Sequence, residues 1–188
     1  MGVNIFWVDS EGRPRSLSEL FQIDPLSASL VTIDHPHHEI HDGNAFTACK
    51  ISTHGAGASP NILIVTPNEV EEVHFVFLAV SDNVLQVDFY ESPDYSGGDS
   101  LEAFIRNRNL SHPSNLTLTT DATDGGSGKG TKIWTFKAGV NRTVTTSESA
   151  RFEFILKRNT KYLLETIGVN NDNITALLEW YEHAPLVE

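Results

Sequence analysis

The chain has 188 residues, 39% of them hydrophobic and 20% charged, which is ordinary for one folded domain with a substantial core. Its 13 basic and 25 acidic residues give a net charge of −12, and a surface this acidic repels nucleic-acid phosphates, so DNA and RNA are not expected partners. No apolar run approaches the length of a membrane span, and the single cysteine, Cys49, excludes an intramolecular disulfide and is predicted to be a small buried hydrophobe.

Residues 1–27 differ in pattern from the rest of the chain. The segment "NIFWV" is strand-like, "SEGRPR" is typical of a turn, and "SLSELF" could form a single helical turn before Pro25. We predict an N-terminal arm here. Its apolar Phe6 and Trp7 are expected to pack on an edge of the chain's own core or on a neighbouring subunit. The N-terminus lacks the basic region and apolar run of a signal peptide, so we expect folding in a reducing cytoplasm.

The segment "TIDHPHHEIHDGNAFTA" places four histidines close together, at positions 35, 37, 38 and 41. In an extended strand, His35 and His37 would point to one face and could share a metal ion, with His41 as a third ligand. This arrangement resembles the cupin family, small β-barrel enzymes in which His-x-His is followed four to five positions later by Glu.

The cupin match is poor at three positions. Glu39 follows His37 after only two positions, Pro36 interrupts the strand, and Ser29 stands where a glycine is expected. We therefore predict a polar turn that binds no metal and precedes the strand "NAFTACKIS". The alternative is a subunit contact, for which His37 and His38 are the candidates.

From Leu30 onward, strand signals dominate. The apolar segments are "NILIVTP", then "VEEVHFVFLAV" and "VLQVDFYE", which read as a hairpin around "SDN", and later "TKIWTFKAG", "RFEFILKR", "YLLETIGV" and "ITALLEWYEH". About eight or nine short strands predict an all-β, antiparallel sandwich, and we favour a jelly-roll-like order. Residues 28–188 form one predicted domain, with residues 91–130 as a long projecting loop.

Motifs for other chemistry are weak. "GGSGKGTK" is not a phosphate-binding loop, because Thr123 stands where its first glycine should be and Gly130 follows the lysine where a hydroxyl is required. Cys49 and His54 form no nucleophile motif, and His74 in "EEVHFVFLAV" is predicted to be a tolerated strand residue. The sequence predicts neither catalysis nor a cofactor.

Three segments together, "HHEIHDGNAFTA", "EAFIRNRNLSHPSNLTL" and "EFILKRNTKYLLETIGVNNDNITALLEWYEH", resemble a family of small tailed-phage structural proteins that accompany the major capsid protein. The resemblance spans roughly residues 35–183. It implies a capsid decoration, or cement, subunit on the virion surface that binds the major capsid protein and forms a homotrimer. Arg106 and Arg108 are then candidate donors to carboxylates, within the long loop or across an interface.

Three alternatives remain open at this point. One is another virion component, such as a head-fibre base, an adaptor or a tail protein. A second is a cupin-like metalloenzyme using His35, His37 and His41. A third is a carbohydrate-binding sandwich, which would need Trp134 and Trp180 as exposed platforms.

Overall fold

The computed structural model describes residues 6–8, 14–16, 35–54, 59–68, 72–81, 83–138, 143–145, 153–169 and 171–183. The chain divides into two compact units, residues 1–38 and residues 39–188. In the first unit, β1 (Phe6–Val8) pairs antiparallel with β2 (Pro14–Ser16), and Trp7 lies opposite Arg15. The side chains of Phe6 and Trp7 lie outside the described part of the structure, so their predicted docking stays a prediction.

Helix α1 (His35–Asp42) replaces the predicted polar turn, and that prediction is wrong. Pro36 occupies the first turn, where the missing N–H costs no helical hydrogen bond. Gly43 ends the helix in the left-handed region, with φ at 87°. Its N–H and that of Asn44 return to the carbonyls of Ile40 and Glu39 at 3.2 and 2.9 Å, as in a glycine-terminated helix.

Sheet one has six strands, and every pairing in it is antiparallel. In chain order they are β4 (Asn61–Val65), β6 (Leu85–Glu91), β8 (Asp99–Ser100), β10 (Thr117–Thr120), β12 (Thr131–Ala138) and β15 (Lys161–Ile167). Their spatial order is β12-β6-β15-β4-β10-β8. A separate small sheet pairs β7 (Tyr95–Ser96) with β11 (Thr123–Asp124).

Sheet two is also antiparallel. Its strands are β3 (Ala45–Thr53), β5 (Glu72–Ser81), β9 (Phe104–Ile105), β13 (Thr143–Thr145), β14 (Phe154–Leu156) and β16 (Asn173–His183). The spatial order is β13-β5-β16-β3-β9. Strand β14 also pairs with β5, along the same edge of β5 as β13.

The core lies between the two sheets. Phe75 and Phe77 of sheet two pack against Phe89 of sheet one with ring centroids 6.0 and 5.7 Å apart, and all three side chains are buried. Tyr162 of sheet one and Trp180 of sheet two extend the same cluster. The predicted all-β antiparallel sandwich is confirmed. Among the described residues, no helix has the length and apolar character that a membrane crossing requires.

Three local predictions are wrong. The segments of β5 and β6 do not form a hairpin, because β5 joins sheet two and β6 joins sheet one. Residues 91–130 are not one projecting loop, because the Thr-rich β10 pairs with β4 inside sheet one. Cys49 is exposed rather than buried, because the alternation along β3 points Ala48 inward and Cys49 outward.

Candidate functional site on the outer face of sheet two

The outer face of sheet two carries an unusual number of apolar side chains. Along β5, Val73, Phe75, Phe77 and Ala79 point into the core, so the residues between them point outward. The outward apolar residues of β3, β5, β14 and β16 are Ile51, Val76, Leu78, Val80, Ile155 and Leu177. Ile51 is 67% exposed and Ile155 is 61% exposed. An antiparallel sheet with one solvated face normally carries polar residues there, so this face resembles a contact surface.

The strand register makes these apolar residues contiguous. Leu177 of β16 lies opposite Leu78 on one neighbouring strand and opposite Cys49 on the other. Thr175 in the same way lies between Val80 and Ile51. The apolar strip therefore crosses the three central strands of the sheet.

Charged residues border this strip at the β9 edge. Arg106 lies 3.6 Å from the Glu179 carboxylate, and both side chains are more than a third exposed. The Arg108 guanidinium lies 5.8 Å from the ring centre of Phe104, which is 44% exposed. Arg106 therefore forms an ion pair with a carboxylate of sheet two, which is neither in its own loop nor across an interface, whereas Arg108 stays within its own loop. An apolar centre with a polar rim is the usual composition of a protein–protein interface.

Sheet one differs, because its outer face is covered by the chain itself. Residues of β7 and of the loop before β11 pack over the sheet in a small buried cluster composed of Leu63, Tyr90, Tyr95, Ala122 and Leu163. Gly98 allows this close approach, since a Cβ there would lie 2.3 Å from the Thr120 carbonyl oxygen. Much of the outer face of sheet one is therefore buried beneath other segments of the same chain.

Two buried carboxylates lie beside that cluster, directly opposite each other on β6 and β15. Asp88 accepts hydrogen bonds from Lys132 at 2.7 Å and Thr135 at 2.5 Å, and Glu165 accepts from Lys129 at 2.7 and 2.8 Å. Burial raises the pKa of Asp88, but the hydrogen bonds from Lys132 and Thr135 outweigh it, and the pKa is lowered overall. Each carboxylate forms an ion pair with a lysine, so we interpret the two acids as structural residues.

A histidine cluster lies on the outer face of sheet two. His74 Nδ1 is 3.0 Å from Glu153 Oε1 and also 3.0 Å from the Tyr181 hydroxyl oxygen. His74 Nε2 is 3.0 Å from His183 Nε2, and the two rings have centroids 4.8 Å apart. Burial lowers the pKa of His74 and outweighs the opposite effect of the Glu153 carboxylate. Glu72, His74 and His183 each offer a ligand atom, all within 4.8 Å of one another.

This cluster is not predicted from the sequence, in which His74 is a lone histidine of a strand. The spacing of Glu72 and His74 by two positions on a strand was visible in the sequence. Their neighbour His183, however, is more than a hundred positions away, and only the β5–β16 register brings it alongside. Long-range strand pairing is not encoded in local spacing.

The histidines predicted as candidate metal ligands do not lie on a strand. His37, His38 and His41 are exposed on α1, and His37 and His41 are one helical turn apart. The cupin interpretation required His35 and His37 on one face of an extended strand, and the helix contradicts that basis. Among the described residues, the group suited to hold a metal ion is instead the one around His74. His37 and His38 as subunit contacts stay a prediction.

Of the two tryptophans predicted as possible carbohydrate platforms, Trp180 is unsuited to that role. Trp180 is only 2% exposed, and its Nε1–H donates to Glu182 Oε1 at 2.9 Å inside the protein. Trp134 is half-buried, and its ring is nearly perpendicular to that of Phe77, with the ring centroids 5.1 Å apart. A sugar-stacking platform needs an open aromatic face, and Trp180 provides none.

Comparisons of the chain with protein-family models, with curated proteins and with solved structures gave no match.

Proposed function

We propose that this protein is a non-enzymatic virion structural protein, a capsid decoration (cement) subunit that binds the major capsid protein shell through the outer face of sheet two. The proposal joins the resemblance to tailed-phage head proteins with the surface chemistry of the folded chain. Such a subunit would be made in the host cytoplasm and would act on the outside of the virion, where it stabilises the head.

The observation that carries the proposal is the contiguous apolar strip on sheet two. Ile51 and Ile155 expose most of their surface, and the half-buried Leu78 and Leu177 lie between them. Burying apolar area contributes roughly 25 cal/mol for each Å² removed from water, so an apolar sheet face can bind a partner without a conformational change. The Arg106–Glu179 pair at its edge is suited to set the orientation of a partner.

The strand order supports a jelly-roll version of the sandwich. If the eight principal strands are counted in chain order as β3, β4, β5, β6, β12, β14, β15 and β16, one sheet has the order 6-3-8-1 and the other 5-4-7-2. Successive strands cross between sheets except at the β6–β12 pair. This order agrees with the one expected for a double Greek key, an architecture that viral capsid proteins also use.

Charge and symmetry complete the proposal. A net charge of −12 keeps many free copies soluble before assembly and complements basic areas of a capsid shell. Closed symmetry lets one patch repeat around an axis, and we expect a homotrimer at capsid three-fold positions. The arm with Phe6 and Trp7 and the exposed His37 and His38 are further contacts available to such an assembly.

The test uses capsids assembled from the major capsid protein of the same phage without this chain, to which purified protein is added. Co-sedimentation should show saturable binding at hundreds of copies per capsid. Ile51→Asp should weaken binding at least about tenfold, a loss of roughly 1.4 kcal/mol. Ile133→Asp, which makes the same change on β12 of the other sheet, should bind like the wild type. Ile155→Asp repeats the test from a second strand, and circular dichroism checks that each variant is folded.

Three outcomes would overturn the proposal. If the wild-type protein does not bind the capsid, the major capsid protein is not its partner. If Ile51→Asp and Ile133→Asp bind equally well, the outer face of sheet two is not the binding surface. Saturation at a few dozen copies or fewer per particle would assign the chain to a head-fibre base, an adaptor or the tail instead.

A further inference from the structure

We propose that Glu72, His74 and His183 form a binding site for one divalent transition-metal ion, with Zn²⁺ as the expected ion, on the outer face of sheet two. This inference does not depend on the capsid role, because it rests on ligand geometry within one chain.

The backbone places the three ligands side by side. Glu72 and His74 are two residues apart on β5 and therefore point to the same face of the sheet. His183 of β16 lies directly opposite Glu72, and Tyr181 lies directly opposite His74. Directly opposed residues of an antiparallel pair have Cβ atoms about 4.5–5.5 Å apart, which suits chelation by three side chains. The potential ligand atoms are all within 4.8 Å of one another.

The spacing of the two imidazoles is close to that of a coordinated pair. Two nitrogens at 2.0–2.1 Å from a tetrahedral Zn²⁺ lie about 3.3 Å apart. His74 Nε2 and His183 Nε2 are 3.0 Å apart, so a shift of a few tenths of an ångström would admit the ion between them. In the metal-free protein, a single proton must be shared between these two nitrogens, and the ion would take its place.

His74 already has the outer partner that metal-bound histidines use. Glu153 Oε1 is 3.0 Å from His74 Nδ1, and an ionised carboxylate can only accept a hydrogen bond. Nδ1 is therefore the donor, and in the neutral imidazole the lone pair is on Nε2, which faces His183. A carboxylate that holds the second nitrogen of a ligating histidine orients the ring and raises its basicity. Glu153 reaches this position because its neighbour Phe154 begins β14, which pairs with β5.

The donor set decides the class of ion. Two imidazole nitrogens with one carboxylate oxygen suit Zn²⁺ and its first-row neighbours, whereas Mg²⁺ and Ca²⁺ prefer all-oxygen sites. Glu72, His74 and His183 are each half-buried, so solvent can supply a fourth ligand. Since the ligands come from neighbouring strands, the ion would also fasten β16 to β5 at the end of their pairing, where His183 is the last residue of its strand.

The experiment is a calorimetric titration of the metal-free full-length chain with Zn²⁺, with Mg²⁺ as the comparison ion. Wild-type protein should bind one Zn²⁺ per chain, and Mg²⁺ should not bind. His183→Ala should weaken Zn²⁺ binding at least about 100-fold, and Glu153→Gln should weaken it by about 10- to 100-fold. His41→Ala, which removes an exposed imidazole on α1, is the matched control and should bind as the wild type does. Co²⁺ titration followed by visible absorption gives an independent readout of ligand geometry.

Folding of the variants is checked by circular dichroism, and His183→Asn replaces His183→Ala if the latter is unfolded. The proposal is overturned if wild-type protein shows no saturable Zn²⁺ binding or if the His183 variants bind as the wild type does. It is also overturned by a stoichiometry of one ion per three chains, because that ratio would place the ligands on a symmetry axis. Failure of this test would leave the Ile51→Asp capsid-binding result unchanged, since Ile51 pairs with Thr175, eight residues along β16 from His183.

Discussion

The replacement Phe89→Ala tests whether the two sheets share one continuous core. Phe89 of β6 is fully buried, and its ring lies against four others, at 6.0 Å from Phe75, 5.7 Å from Phe77, 5.3 Å from Phe154 and 5.5 Å from Tyr162. Replacing a buried phenylalanine with alanine costs about 3–5 kcal/mol, which includes the cavity left behind. Rings on strands of both sheets cannot all collapse into the space, so we expect about 4 kcal/mol. This loss corresponds to a fall in Tm of about 8–16 °C for a chain of this size.

The assay is urea unfolding followed by circular dichroism, with Phe136→Ala as the control. Phe136 lies on β12, next to β6, but is 50% exposed, so its removal should change the free energy of unfolding by only about 0.5 kcal/mol. A cost below about 2 kcal/mol for Phe89→Ala would refute the reasoning, because it would mean that the aromatic cluster does not bridge the sheets. Equal costs for the two variants would do so as well.

Three further predictions concern titration and backbone conformation. The lowered pKa of Asp88 means that its contribution to stability is present above the unfolded-state pKa and is lost as pH falls through the native pKa. Asp88→Asn should therefore flatten the acid limb of a pH series of urea unfolding midpoints, and an unchanged slope would contradict this. Burial raises the pKa of Tyr162 to about 12, so stability present below the unfolded-state pKa should fall as pH rises through the native one. Tyr162→Phe should remove an ionisation near pH 12 from the phenolate absorbance, and its persistence would disprove the assignment. Gly130 and Gly97 have similar positive φ values of 76° and 70°, but only at Gly130 would a Cβ lie 2.3 Å from a backbone oxygen, that of Glu91. Gly97→Ala should cost about 1 kcal/mol and Gly130→Ala clearly more, as measured by thermal unfolding, and equal costs would argue against the crowding.

The strands themselves were largely predictable, because their signals are local. The apolar segment "RFEFILKR" contains β14, in which Phe154 and Leu156 pack with the core, whereas the preceding Glu153 contacts His74 on the outer face. The continuous apolar run of β4 fits a strand with a buried interior, and all of Ile62, Leu63 and Ile64 are buried. Helix α1 was missed although its signals were present, with Pro36 in the first turn and Gly43 at the end.

Strand partners were much less predictable. "SDN" between β5 and β6 looks like a hairpin turn, yet it carries the chain from one sheet to the other. Nothing within ten residues distinguishes these two outcomes, because the choice depends on which distant strands compete for each edge. The same limit hid the site around His74, whose members Glu72, Glu153 and His183 come from three segments far apart in the chain.

The positions of β15 and β16 have a consequence for how the protein is made. These two strands follow all the others in chain order, yet neither lies at an edge: β15 lies between β6 and β4, and β16 lies between β5 and β3. During synthesis on the ribosome, the neighbours of β15 and β16 therefore emerge before the strand that pairs between them. Unpaired strands in that interval expose backbone donors and acceptors that invite pairing with other chains. Inserting these two strands requires contacts between distant parts of the chain, which places folding in the slow, millisecond-to-second class typical of such topologies.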